Sequence, residues 1–104
     1  MEKIVEQGIL YSFYGKLLTK HQQSIYEELV YHDLSISEIA KEQGISRQGV
    51  FDLVKRCDKI LQDYEDKLQL VKKFYSIKDK VKEIQLFTKE ERVKKLVDEI
   101  IEEL

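Results

Sequence analysis

The sequence has no proline, no tryptophan and one cysteine, and its four glycines are scattered over 104 residues. The lone Cys57 cannot form an internal disulfide, and no apolar run approaches the roughly 20 residues of a membrane span. The opening residues lack the basic-then-apolar pattern of a secretion signal. These absences predict one small domain with an extension, located in the cytoplasm and without a membrane partner.

The side-chain patterns that metal sites and active sites need are missing as well. His21 and His32 have no cysteine or second carboxylate at ligand spacing. There is no glycine-rich phosphate loop and no Ser-His-Asp order. Cys57 falls on the inward face of its predicted helix, which indicates a buried, inert thiol. We therefore expect no enzyme activity, no metal and no cofactor.

The most informative segment runs from Leu34 to Cys57 and has the pattern of a helix-turn-helix. Ala40 falls where the two helices touch and only a small side chain fits. Gly44 falls on the turn, where a positive φ costs glycine little. One position expected to be apolar holds Gln43, whereas the others that join the helices are apolar: Ile39, Ile45, Val50 and Leu53. The pattern predicts helices at about 36–43 and from Arg47 onward.

Both helices of the motif have start signals. Ser35 and Glu38 have the spacing of a capping box, and Ser46 is a good N-cap for the second helix. Such a motif serves two roles, because a fold does not fix a function. The second helix can enter a major groove of DNA, or the motif can be a compact corner that builds a core or binds protein. We favour the first role.

Apolar residues at spacings of three and four predict helices on both sides of the motif. The first covers 3–18, and its apolar side is formed by Leu10, Phe13, Tyr14 and Leu17. The second begins at Thr19, with Gln22 at capping-box distance, and ends near 31–33. A further capping box, Thr88 with Glu91, opens the last helix. The predicted fold class is all-α.

The fourth helix has no stop signal after the motif. Its apolar residues continue at alternating spacings of four and three, as in a heptad seam suited to a partner helix: Cys57, Leu61, Tyr64, Leu68, Val71 and Tyr75. The stripe then shifts, which predicts a bend near Ser76. The expected organisation is a four-helix domain at 1–60 and a helical extension at 61–104. The extension either folds back on the domain or joins two subunits, and we favour a homodimer because such proteins commonly read paired half-sites.

The candidate nucleic-acid contacts lie at the start of the fourth helix. Arginine can pair with guanine and glutamine with adenine, so Arg47 and Gln48 are candidates for reading bases. Phe51 could meet a thymine methyl group, and Asp52 would repel phosphates unless it accepts from a cytosine amine. The remaining candidates would hold the sugar-phosphate backbone: Ser46, Lys55, Arg56 and Lys59. The alternative for the whole set is a solvated helix face with a surface phenylalanine.

The charge balance of the chain argues mildly against strong binding. The formal net charge is −2, whereas affinity for phosphates comes mainly from lysine and arginine. From Lys41 to Lys59 there are five basic and three acidic residues, so the motif itself is locally positive. Binding is expected to be weak or to need a dimer.

Two resemblances extend this interpretation. Residues 17–61, with the LT-x-x-Q opening and the E-I-A…G-I-S-R run, look like sigma factor region 4, a four-helix domain that ends in a helix-turn-helix. Over about residues 9–75 the chain more specifically resembles the YlxM family of small bacterial helix-turn-helix proteins. The segments that carry this resemblance are YSFYGKLLTKHQ, DLSISEIA, ISRQGVFDLVKRC and LQDYEDKLQLVKKF.

The YlxM resemblance implies an all-helical protein of DNA-binding type that acts with the signal recognition particle pathway. It implies either a regulator of that pathway's genes or an accessory module that binds the particle's protein or RNA. One departure from the family is Gly49, where alanine is common. Glycine in the first turn of a helix costs up to about 1 kcal/mol in helix propensity, although it could let a phosphate approach the backbone.

Overall fold

A computed structural model describes residues 2–104 of the chain, and within this range it contains six α-helices and no strand. The helices are α1 (Lys3–Tyr14), α2 (Lys20–Val30), α3 (Ile36–Gln43), α4 (Arg47–Leu68), α5 (Leu70–Phe87) and α6 (Glu91–Glu103). The predicted all-α fold with a long fourth helix and a helical C-terminal segment is confirmed. No helix within the described range combines the length and the hydrophobicity that crossing a bilayer requires.

The helix predicted at 3–18 ends earlier, because Gly15–Leu17 form a 3₁₀ turn after α1. A 3₁₀ turn has three residues rather than 3.6, so it changes which side chains face inward. Leu17, predicted on the apolar side, is 57% exposed, whereas Tyr11 and Leu18 are buried. Gly15 is needed at this turn, since a Cβ there would lie 2.5 Å from the Tyr11 ring.

The predicted start signals of α2, α3 and α4 are confirmed. Thr19 with Gln22 and Ser35 with Glu38 form complete capping boxes. The Ser46 hydroxyl accepts from the Gly49 backbone N–H at 2.9 Å. Each of these side chains satisfies a backbone donor that the first turn of a helix leaves without a partner.

The first compact unit ends at Leu68, and α4 runs through its core. Side chains from every helix of this unit are almost fully buried: Tyr14, Ile25, Tyr26, Ile39, Val50, Cys57 and Leu61. Tyr14 connects α1 to α4, because its hydroxyl donates to Glu65 at 2.6 Å and its ring stacks on Tyr64. Because Val50 and Cys57 are buried in its N-terminal half and Tyr14 holds its C-terminal half, α4 is packed along its length.

The heptad pattern after Cys57 does not form one continuous helix. Gln69 has a φ of 54°, in the left-handed region, and it separates α4 from α5. The bend predicted near Ser76 is wrong, since Ser76 lies inside α5. Glycine or asparagine usually marks a left-handed residue, and glutamine gives no such signal.

The second compact unit, Gln69–Leu104, is a hairpin of α5 and α6 with Val81 and Val97 buried between them. The capping box predicted for Thr88 and Glu91 is wrong. The last helix begins at Glu91 with Glu90 as its N-cap, and the Thr88 hydroxyl instead accepts from the Glu90 N–H at 3.2 Å. The short connection makes α5 and α6 antiparallel neighbours. That residues 61–104 act as a functional extension stays a prediction.

Candidate nucleic-acid interface

The helix-turn-helix forms around a left-handed glycine. Gly44 ends α3 with a φ of 70°, and the Ile45 N–H after it donates to the Ala40 carbonyl at 3.1 Å. Ile39, Ala40 and Val50 are buried where α3 meets α4. Ile45, another of the apolar positions predicted to join the helices, is 37% exposed and therefore lies at the edge of this contact.

Gln43, the polar residue at an expected apolar position, is explained by the neighbouring helix. Its side-chain amide donates to Glu28 Oε1 at 2.9 Å and lies 3.4 Å from the Ser24 hydroxyl. A half-buried polar group is tolerated when it is hydrogen-bonded. The contact between α2 and α3 is therefore partly polar at this point.

The two faces of α4 are those predicted from the spacing. Val50, Val54, Cys57 and Leu61 are buried on its inner side. All eight candidate contact residues are solvent-exposed. Ser46 lies just before α4, and the other seven lie on it: Arg47, Gln48, Phe51, Asp52, Lys55, Arg56 and Lys59. The candidate interface is this exposed set, held on a helix whose opposite side is packed.

Within the candidate interface, several side chains contact one another. Gln48 Nε2 donates to Asp52 Oδ1 at 2.9 Å, one turn along α4. The Lys55 ammonium lies 5.2 Å from the centre of the Phe51 ring, a cation–π distance. A base that Gln48 reads must displace Asp52 or be recognised by both residues together.

A partly buried polar cluster behind the candidate interface positions α4. Gln7 Nε2 of α1 donates to both Asp58 oxygens, at 2.9 and 3.2 Å, and the Tyr26 hydroxyl of α2 donates to Oδ1. Burial, followed by the bond to Asp58, raises the pKa of Tyr26. The sequence did not indicate this cluster, because Gln7 is a polar residue on the buried side of α1 and Asp58 is one of many carboxylates.

The neighbouring Cys57 is fully buried, as its place on the inner side predicted. Burial, with a smaller effect of Asp58, raises the pKa of its thiol to about 11. The thiol is therefore protonated at neutral pH, and a protonated thiol is a poor nucleophile and metal ligand. Among residues 2–104 no three metal-binding side chains cluster.

Two hollows flank α4, and each brings a residue from another helix beside the candidate interface. One hollow, of about 390 Å³, places Lys3 of α1 near Lys55 and Lys59. The other, of about 350 Å³, places His21 of α2 near Arg56. Sequence reasoning missed Lys3 and His21 here, since only the packing of α1 and α2 against α4 brings them close. Lys3 adds one positive charge beside α4, although Glu6 and Asp58 line the same hollow.

Comparison with known proteins places the chain in a family. Residues 1–103 match the family model described as "Putative helix-turn-helix protein, YlxM / p13 like". The chain belongs to this family. The resemblance found from the sequence segments is thus confirmed, and it extends over nearly the whole chain rather than residues 9–75 alone.

Curated relatives match over the same length. The chain is 39% identical over 103 residues to UPF0122 proteins of Bacillus thuringiensis (strain Al Hakam) and Bacillus mycoides (strain KBAB4), and each alignment covers 98% of this chain and 94% of the relative. A UPF0122 protein of Bacillus cereus (strain AH187) is 38% identical with the same coverage. The family is bacterial in these examples, and its helix-turn-helix character supports a general role in binding nucleic acid.

Proposed function

We propose that this protein is a DNA-binding regulator that reads sequence with the N-terminal half of α4. Arg47 and Gln48 contact base edges in the major groove. Phe51 and Asp52 lie on the same surface and adjust the preference at neighbouring base pairs. The residues that hold the sugar-phosphate backbone are Ser46, Lys55, Arg56 and Lys59.

The observation that carries this proposal is an exposed polar surface on a helix that is packed on its other side. Gln48 and Lys55 are open to solvent, while Val50 and Val54 of the same helix are buried. A recognition helix needs this arrangement, because a rigid base limits the entropy lost when side chains meet the bases. The helix-turn-helix family supports the same role.

The proposal is tested by fluorescence anisotropy with a library of labelled duplexes, repeated at several salt concentrations. Arg47→Ala should relax the preference at one base pair, because a bidentate contact is worth about 1–3 kcal/mol of discrimination. Lys55→Ala should weaken binding to all sequences alike and lower the salt slope by about one. Lys82→Ala, an exposed lysine on α5, is the matched control and should change neither quantity.

The absence of binding to every duplex at low salt would remove this proposal. Equal losses for Arg47→Ala and Lys82→Ala would also oppose it, because a diffuse charge effect does not distinguish the two positions. Binding that Lys55→Ala weakens without any sequence preference in the unmodified protein would reduce the function to non-specific DNA binding.

We further propose that the protein acts as a homodimer. Two copies of α4 held at a fixed spacing read two half-sites and double the phosphate contacts. Because a single motif has only a modest positive charge, doubling the phosphate contacts should raise the affinity for DNA. The net charge of the chain is −2, so one copy alone has a small electrostatic attraction to DNA.

A second function is supported by the bond between Gln48 and Asp52. This bond occupies a base-reading side chain and keeps a carboxylate on the surface, which suits a protein partner better than a DNA duplex. The alternative is an accessory module that binds the protein or the RNA of the signal recognition particle, the pathway that the family resemblance implies. Co-purification with either component, unchanged by Arg47→Ala, would favour it. Loss of the complex in Arg47→Ala would oppose it.

A further inference from the structure

The hairpin of α5 and α6 has one apolar side that its own core leaves uncovered. Ile77 and Ile84 of α5 are 48% and 47% exposed, and Leu96 and Ile100 of α6 are 51% and 40% exposed. Single exposed apolar residues are ordinary on a surface, but residues that line up along a helix form a patch. We call these four residues the apolar face.

The four residues share one side of the hairpin. Ile77 and Ile84 are seven residues apart and lie at nearly the same angle around α5, to one side of the buried Val81. Leu96 and Ile100 lie to the matching side of Val97 on the antiparallel α6. The opposite side is polar, since Gln85 there approaches Asp98 at 3.4 Å.

A hollow of about 540 Å³ supports this assignment of sides. Ile84 and Phe87 of α5 line it together with Val93 of α6, so the apolar side chains of both helices border one space. Lys80 lines the same hollow. Lys80 therefore lies at the edge of the apolar face and not on the Gln85 side.

We propose that the apolar face packs against the same face of a second copy, with α5 of one subunit on α6 of its partner. This deepens the homodimer of the proposed function by assigning its surface and pairing. The contact forms an antiparallel four-helix bundle with the two-fold axis parallel to the helices. The same residues meet in both directions, as a two-fold contact requires.

The charges at the edges of the apolar face favour this pairing. The outer edge of α5 carries Lys73 and Lys80, with Glu83 nearer its C-terminal end, and the outer edge of α6 carries Arg92 near its start, with Glu99 and Glu103 farther along. With the axis parallel to the helices, each α5 edge lies beside the α6 edge of the partner, so lysines face glutamates. With the axis across the helices, α5 lies beside α5 and the lysines face each other. Like charges in register disfavour that second arrangement.

The size of the hairpin also suits a second copy. Because α5 has 18 residues, a rise of about 1.5 Å per residue and a helix width of about 10 Å give a face of roughly 27 by 20 Å. The planar area of such a face, about 540 Å², is about two-thirds of the roughly 800 Å² that each partner buries in a standard interface, which fits a dimer of modest affinity. A short peptide would leave much of the face uncovered.

The test measures the dimer dissociation constant of the full chain by sedimentation equilibrium, in the absence of nucleic acid. Lys80→Glu should raise this constant roughly tenfold, because it turns an attraction into a repulsion twice in each dimer. Combining it with Glu99→Lys should return the constant to within about threefold of its original value, because the pair then has opposite charges again. Lys82→Glu makes the same charge change on the other side of α5 and should have no effect.

Ile77→Asp should give a monomer at every concentration measured, with helix content by circular dichroism unchanged because Ile77 is half exposed. Tighter association of Lys80→Glu would overturn the proposed pairing in favour of α5 on α5. A monomeric unmodified chain, or a dimer that Ile77→Asp leaves intact, would overturn the proposed surface. These outcomes do not depend on DNA, so a protein that dimerises without binding any duplex would contradict only the DNA-binding function.

Discussion

At the scale of single residues, Gly49 is a position where a substitution should make α4 more stable. Glycine inside a helix is unfavourable relative to alanine, and the space at Gly49 is tight at only one point: an added Cβ would lie 3.1 Å from the Ser46 hydroxyl. Ser46 is exposed and can shift by a few tenths of an ångström. The balance therefore favours alanine.

Gly49→Ala should increase the free energy of unfolding by about 0.5–1 kcal/mol, because alanine has the higher helix propensity. Urea denaturation followed by circular dichroism measures the change. A destabilised variant would mean that the Ser46 cap cannot move. Ser46→Ala is the companion measurement, and it should lose about 1 kcal/mol with the cap.

Asp52 is the residue whose removal should strengthen nucleic-acid binding. Its carboxylate is exposed on the candidate interface and would lie near the phosphates of a bound duplex. Asp52→Asn keeps the shape and a partner for Gln48 but removes the charge. We expect affinity for all duplexes to rise several-fold at low salt and less at high salt, because salt screens the repulsion. Asp63→Asn, a matched exposed aspartate farther along α4, should have little effect; a drop in affinity for Asp52→Asn would instead indicate that Asp52 accepts from a base.

At the scale of secondary-structure elements, the partly buried cluster of Gln7, Tyr26 and Asp58 joins α1 and α2 to α4. Tyr26→Phe removes one donor to a carboxylate that stays in place. The variant should lose about 1–3 kcal/mol of stability, since bonds to charged groups are stronger than neutral ones. Tyr64→Phe, which keeps its ring stacked on Tyr14, is the matched control for loss of a tyrosine hydroxyl.

Three titratable groups of the first unit, Cys57, Tyr11 and Tyr26, predict how stability depends on alkaline pH. The ordinary pKa values of cysteine and tyrosine are 9.0 and 10.0, whereas burial raises the pKa of Cys57 to about 11 and that of Tyr11 to about 12. A pKa raised in the folded state stabilises the protein below the unfolded value, and this stability is lost as the pH rises through the folded value. Unfolding midpoints in urea should therefore be level up to about pH 9 and fall between pH 9 and 12. The pKa of Tyr26 is also raised, so the unfolding midpoint of Tyr26→Phe should fall less steeply with pH than that of the unmodified protein. An equal dependence on pH would mean that Tyr26 contributes nothing to the decline.

The sequence predicted the elements whose signals are local and missed those set by packing. The starts of α2, α3 and α4 were found because a serine or threonine and its partner three residues later act within one turn. The same spacing misled at Thr88, whose hydroxyl bonds two residues ahead instead. The end of α4 at Gln69 could not be predicted, since a left-handed glutamine depends on the surrounding fold rather than on its own preference.

In the candidate interface, too, features with a local sequence signal were predicted and features set by packing were missed. The exposed and buried faces of α4 could be read from a period of 3.6 residues, because burial on one side imposes it. The approach of Lys3 and His21 to α4 could not, because helices distant in sequence bring them there. The Asp58 cluster was missed for the same reason.

At the scale of the whole molecule, the two compact units have unequal cores. The unit that ends at Leu68 buries side chains from four helices, whereas the hairpin of Gln69–Leu104 buries Val81 and Val97 alone among its described side chains. A core that small gives little stability by itself, because roughly 1.5–3 kcal/mol per large apolar side chain must offset the entropy of ordering two helices. The hairpin therefore needs the cover that the proposed partner supplies.

Hydrogen–deuterium exchange should reveal this dependence on a partner. Amides of α5 and α6 should exchange faster than those of α2, α3 and α4 in dilute protein, and their protection should grow with protein concentration as the dimer forms. Protection of α3 and the start of α4 should not change with concentration, because their core is complete within one copy. Ile77→Asp should remove the concentration dependence while leaving the first unit unaltered. If the amides of α5 and α6 are as protected from exchange in a monomer as those of α4, the hairpin is stable by itself and does not need a second copy to cover its apolar face.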